Sequence, residues 1–158
     1  MINDKWKMTN DPEVPMFIAI ASDHGGFVLK KHLFAFLEKE GHQVIDRGCP
    51  DEKPVDYPDY AALVAQDILA GKAKFGILVC GTGIGMSIRA NRHPRVRAAL
   101  VHSDQYAKLA REHNDANVLC LGGRFTMPGD AERFVKVFLS TAFEGGRHQR
   151  RVEKLDAC

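Results

Sequence analysis

The sequence predicts an α/β protein, a three-layer αβα Rossmann-like sandwich around a five-stranded parallel sheet. Three observations point there. Short apolar runs alternate with helix-length stretches along the chain, and those runs are apolar at consecutive positions, as strands covered on both faces must be. The loops after the first and third runs, SDHGG and CGTGIG, are the two most polar and glycine-rich in the sequence.

The strands are read at residues 16–21 (MFIAIA), 43–46 (QVID), 75–80 (FGILVC), 97–101 (RAALV) and 117–121 (NVLCL). Between the first two, Phe27, Leu29, Leu33, Phe34 and Leu37 recur at spacings of three and four, the signature of a helix with one buried face. Tyr60, Leu63, Val64, Ile68 and Leu69 do the same ahead of the third. Gly41 and Gly71 stand where these helices should stop, in the left-handed position beyond a C-terminus. A further helix is expected near residues 128–143, then a break at Gly145-Gly146 and a basic helical segment, RHQRRVEKL. For five parallel strands the common order is 2-1-3-4-5, which places ligands at the carboxyl ends of strands 1 and 3.

The 158 residues (17.6 kDa) suit one domain, since 45% are apolar. Residues 1–15 read as a polar, flexible leader and 16–158 as the domain. The balance of 22 basic against 20 acidic residues, net +2, argues against a general nucleic-acid or membrane surface. The apolar runs are too short to span a bilayer and the N-terminus has no signal-peptide core, so a cytoplasmic location is expected. Cys49, Cys80, Cys120 and Cys158 form no CxxC pair and no zinc-type spacing with histidine, and are read as free thiols.

CGTGIG is neither a dinucleotide fingerprint nor a P-loop, and glycines alone serve equally well as a tight turn. Cys80 at the strand end and Thr82 in the turn raise the functional reading, because amides and the positive end of a following helix favour a thiolate there. Such a thiolate can act as a general base while nearby amides hold an oxyanion. The ordinary alternative for Cys80 is a small core residue. Asp23 and His24 point different ways at a strand end and could serve two ends of one ligand; a helix cap with an exposed histidine explains them as well. His113 and Asn114 close the fourth helix, where capping is the commoner role. Arg147 and Arg151, four residues apart, share a helical face that can grip a phosphate, and Arg124 sits at another strand end; a solvated basic helix is the plainer reading. His32, His42 and His93 are read as surface residues, and His102 as a weaker candidate.

Taken together, SDHGG, DYPDYA (56–61), CGTGIGMSIRAN (80–91), REHNDANVL (111–119) and EGGRHQRRV (144–152) resemble the type B ribose-5-phosphate isomerases, a family that includes galactose-6-phosphate isomerase subunits. The resemblance runs from Met16 to about Leu155. It implies an aldose-ketose isomerase without metal or cofactor, acting on a phosphorylated sugar, with ribose 5-phosphate and ribulose 5-phosphate as the default pair. By motif, Cys80 resembles the base and Thr82 the assisting hydroxyl, while the amides of Gly81, Gly83 and Gly85 are similar to the anion hole. His113 resembles the ring-opening residue, with Asp23 near the ring oxygens, Asn114 near the hydroxyls and Tyr57 lining the pocket. His24, Arg124, Arg147 and Arg151 resemble the phosphate grip. The resemblance also implies a homodimer with shared sites, the C-terminal helix reaching the partner, and in some members a tetramer. A six-carbon sugar phosphate, or a non-catalytic sensor on the same fold, remains open on the residues alone.

Overall fold

A computed structural model describes residues 15–157. Apart from Pro15, the leader lies outside the described residues, as does Cys158. Five parallel strands form one sheet: β1 (Phe17–Ser22), β2 (Gln43–Asp46), β3 (Phe75–Cys80), β4 (Ala98–Leu100) and β5 (Val118–Gly122). The helices are α1 (Phe27–Lys39), α2 (Tyr57–Leu69), α3 (Ile84–Ala90), α4 (Asp104–Asn114), α5 (Pro128–Ser140) and α6 (Gln149–Asp156). Gly41 and Gly71 take the positive φ expected of them past the ends of α1 and α2.

The strand order is 2-1-3-5-4, which corrects the expected 2-1-3-4-5. Burial explains it. β5 (VLCLG) is buried at every position and belongs between two neighbours, whereas β4 (AAL) is short and half-exposed throughout, as suits an edge. Asn91 covers the start of that edge: its carboxamide oxygen accepts from the Ala98 N–H at 2.7 Å and its amide donates to the Ala98 carbonyl at 3.0 Å.

Handedness then distributes the helices. α2 and α3 connect strands progressing one way across the sheet and share one face; α1 and α4 connect strands stepping the other way and lie with α5 on the opposite face. The strands present different residues to the two layers. Ile18, Ile20, Ile77, Val79, Leu119 and Leu121 face α1, α4 and α5. Ala19, Ala21, Leu78, Cys80, Val118 and Cys120 face α2 and α3. Because β1 and β3 are adjacent and the chain winds away from them in opposite directions, the carboxyl edge opens between their loops, and the swapped order adds the loop after β5 beside them.

Candidate active site

Three glycine-bearing loops meet at the carboxyl edge, and they pack backbone on backbone. A Cβ on Gly26 would stand 2.3 Å from the Val79 carbonyl oxygen, and one on Gly123 would stand 2.8 Å from the Gly25 oxygen. The Gly123 N–H donates to the Cys80 carbonyl at 2.7 Å, and the Arg124 N–H to that of Gly81 at 3.2 Å. The Arg124 side chain then lies across Gly81, with its guanidinium in the space a Cβ there would approach. On the other flank the Tyr57 ring, at the start of α2, fills the space beside Gly85, where a Cβ would fall 2.5 Å from the ring. Tyr57 and Arg124 are both exposed and flank the loop.

Cys80 ends β3 with little exposure, and its Sγ accepts the Gly83 N–H at 3.1 Å. Gly83 provides this amide from a left-handed conformation (φ 79°), with Leu100 and the Leu121 backbone filling the space where a side chain would sit. The Thr82 Oγ1 accepts from the Ile84 N–H at 3.2 Å and is otherwise exposed to the edge. A second thiol stands behind: Cys120 lies on the same face one strand over and is fully buried. Burial first, and the charge of Cys80 second, push the Cys120 thiol well above its ordinary range, so it stays protonated.

Asp23 is buried, and its Oδ1 accepts from the Gly26 N–H at 3.1 Å, fixing the first loop beside Gly81. His24 accepts from the Val55 N–H through Nδ1 at 3.2 Å, which ties that loop to the segment ahead of α2. Cys80, Thr82, Gly81, Gly83, Gly85, Asp23, His24, Tyr57 and Arg124 therefore gather at one edge.

His113, Asn114, Arg147 and Arg151 do not join them. α4 runs back along the sheet and ends where β5 begins, so His113 and Asn114 lie at the amino edge, about 15–20 Å from Cys80 by strand length. α6 is held at the same edge by Asp156, whose carboxylate accepts two bonds from Arg97 at 3.0 and 2.9 Å. Arg147 and Arg151 are exposed there.

An ion-pair lattice builds that edge. Buried Arg111 donates to the Asp115 carboxylate at 2.8 Å and to the carbonyls of Ala116 and Thr141 at 2.6 and 3.2 Å, while its guanidinium lies over Phe75 and Phe138. Burial lowers the Arg111 pKa and the Asp115 carboxylate raises it back in part. His148 then stacks on His113, with ring centroids 4.3 Å apart. The sequence sets His148 beside the Arg147 and Arg151 face without deciding its part, and gives none to Glu144 or Arg111; the EGGRHQRR and REHNDANV motifs contain them, but only the return of the chain after α5 brings them together. His42, read as a surface residue, is half-buried and accepts from the Met16 N–H at 3.3 Å.

A doubly wound α/β protein with a thiol, main-chain donors and an arginine gathered at the sheet's switch point has the makings of a site for a small anionic ligand. Residues 18–155 match the family model described as Ribose/Galactose Isomerase, and the chain belongs to that family. It is 44% identical over 140 residues to the ribose-5-phosphate isomerase B of Escherichia coli, covering 89% of this chain and 94% of the relative. The crystal structure of a ribose 5-phosphate isomerase from Thermotoga maritima superposes with a TM-score of 0.90 at 52% identity, over 90% of this chain and 99% of the other. The type B enzyme of Trypanosoma brucei gives 0.87 at 43% identity, over 91% and 99%.

Proposed function

We propose that this chain is an aldose-ketose isomerase that interconverts ribose 5-phosphate and ribulose 5-phosphate, with Cys80 as the base. One observation carries the reading: the Cys80 sulfur sits at the carboxyl end of a central strand and accepts a main-chain N–H at 3.1 Å, and the Arg124 guanidinium lies over the next residue, Gly81. The names of the relatives, ribose-5-phosphate isomerases at 43 to 52% identity, favour the pentose phosphate over a hexose phosphate.

In the open-chain aldose the thiolate takes the proton from C2, and the electron pair moves onto the C1 carbonyl oxygen to give a cis-enediolate. The thiol returns its proton to C1 as the C2 carbonyl forms, and the proton of the C2 hydroxyl passes to the C1 oxygen, with the Thr82 hydroxyl placed to assist. Negative charge thus leaves sulfur for an oxygen of the substrate and comes back. The Gly83 amide that holds the resting sulfur stays next to this charge throughout, and the amides of Gly81 and Gly85 supplement it. Cys120, kept protonated behind Cys80, takes no part as a base.

His24 and Arg124 hold the phosphate from this subunit. His113, which opens the ring, Asn114, and the second half of the phosphate grip, Arg147 and Arg151, come from a second copy, since each subunit's own set lies at the far edge of its sheet. The working unit is then a homodimer with two shared sites. No helix among the described residues is long and apolar enough to cross a membrane. A panel of pentose and hexose phosphates assayed in both directions is the test. Ribose 5-phosphate is expected to give the highest kcat/KM; a hexose phosphate turned over more efficiently would reassign the substrate.

A further inference from the structure

The amino edge holds a cluster that the isomerase reading does not use in full. The Gly145-Gly146 turn, with φ of 65° and 54°, brings the chain back over the last turn of α4, where the His148 ring stacks on that of His113 within 14° of parallel. The Glu144 N–H donates to the Glu112 carbonyl at 3.1 Å and pins its own carboxylate beside the rings. Glu144 Oε2 lies 3.4 Å from His148 Nε2, and one ligand atom from each of His113, Glu144 and His148 falls within 4.8 Å of the others.

His148 is 5% exposed, and its Nε2 is the one buried side-chain polar atom among the described residues without a hydrogen-bond partner. Burying such an atom unsatisfied costs about 1–3 kcal/mol, so the site calls for something to meet it. The carboxylate is near enough for charge attraction but makes no hydrogen bond to it.

We propose that His113, Glu144 and His148 form a binding site for a divalent cation of the zinc class. Two imidazoles and one carboxylate are an established ligand set for zinc with an open fourth position. At metal-ligand distances of about 2.0–2.2 Å, tetrahedral donors stand about 3.3 Å apart. Stacked imidazoles hold their in-plane lone pairs parallel, so the 4.8 Å spread closes only when half-buried His113 turns out of its stack on His148 and Glu144, whose side chain is 51% exposed, swings in to meet the same ion. A bound ion would take the lone pair of His113. Its consequence, an enzyme switched off by the metal, rests on the ring-opening role proposed above; the binding itself does not.

Cobalt(II) titration of the full chain, repeated with zinc in competition, tests the site. The expected result is one equivalent per chain, with the visible bands of a four- or five-coordinate nitrogen and oxygen site and no intense near-ultraviolet band from thiolate. Glu144→Gln, a surface change that leaves the fold intact, should weaken binding at least tenfold; His148→Ala should match it, and Cys80→Ala should leave it unchanged. A silent titration, an unaltered Glu144→Gln titration, or a thiolate band lost in Cys80→Ala overturns the proposal. Zinc should also inhibit isomerisation reversibly, less so in Glu144→Gln. If cobalt binds as expected but zinc does not inhibit, the metal site stands and the role given to His113 falls.

Discussion

The two edges of the sheet are built by opposite means. At the carboxyl edge, loops close on one another through glycines, with Gly26 against the Val79 carbonyl and Gly123 against Gly25, and the sulfur of Cys80 is placed by main-chain contacts. At the amino edge, side chains set the geometry: Arg111 and Arg97 gather Asp115, Asp156 and four carbonyls, and His113 is positioned by what packs around that lattice. The base proposed at Cys80 would need donors that do not move and no competing side chain, which backbone supplies. The part proposed for the amino edge, completing a neighbour's site, would need projecting charge on a firm support, which paired arginines supply.

The difference can be broken first at the sulfur. Cys80→Ala is expected to lower kcat on ribose 5-phosphate by about 10³-fold or more, the scale of a lost general base, with KM and circular dichroism nearly unchanged. Retained turnover would remove the carboxyl edge from the chemistry. The amino edge should respond in stability. Arg111→Ala leaves Asp115 with only its longer contact to Arg97 at 3.4 Å, two carbonyls without their donor and two rings without their cation, and is expected to cost about 3 kcal/mol in urea denaturation. A loss under 1 kcal/mol would mean the lattice does not hold that edge. Arg147→Ala, exposed and outside the lattice, should raise KM about tenfold through a lost phosphate contact while Tm stays put.

The smallest effect is a pH dependence. Burial lowers the pKa of His42, outweighing the opposing charge of Glu40, and its Nδ1 accepts a hydrogen bond only when unprotonated. The folded state therefore binds this proton less readily than the unfolded chain, so stability is full above the unfolded value of about 6.5 and declines as pH falls through it. His42→Gln should flatten the Tm profile between about pH 7 and 5; an unchanged slope would assign it to other groups.

Much of the carboxyl edge was legible because its determinants are local. QVID and FGILVC are bounded by turn residues and match β2 and β3 residue for residue, and the glycines and Cys80 of the third loop are contiguous. Strand order was not legible from periodicity, which cannot rank two short apolar runs. The cue lay in flanking charge, since RVRAALV begins among arginines, as an edge strand can, whereas VLCLG is apolar throughout and needs a neighbour on each side. With that order, LGGR moves beside CGTGIG and the place of Arg124 becomes clear. The amino edge depends on residues thirty or more positions apart, such as Arg111 reaching Thr141 and His113 meeting His148, and no spacing rule announces such pairs.

That the sulfur of one copy works with the histidine of another is tested most directly by mixing two inactive proteins. Cys80→Ala and His113→Ala, unfolded together and refolded at equal concentration, should form mixed dimers in which one site carries both lesions and the other neither. Activity should return to about a quarter of the parental value, half the dimers having one intact site of two. Mixed dimers that form but stay as inactive as either variant alone would place both residues in a single subunit's site and contradict the account.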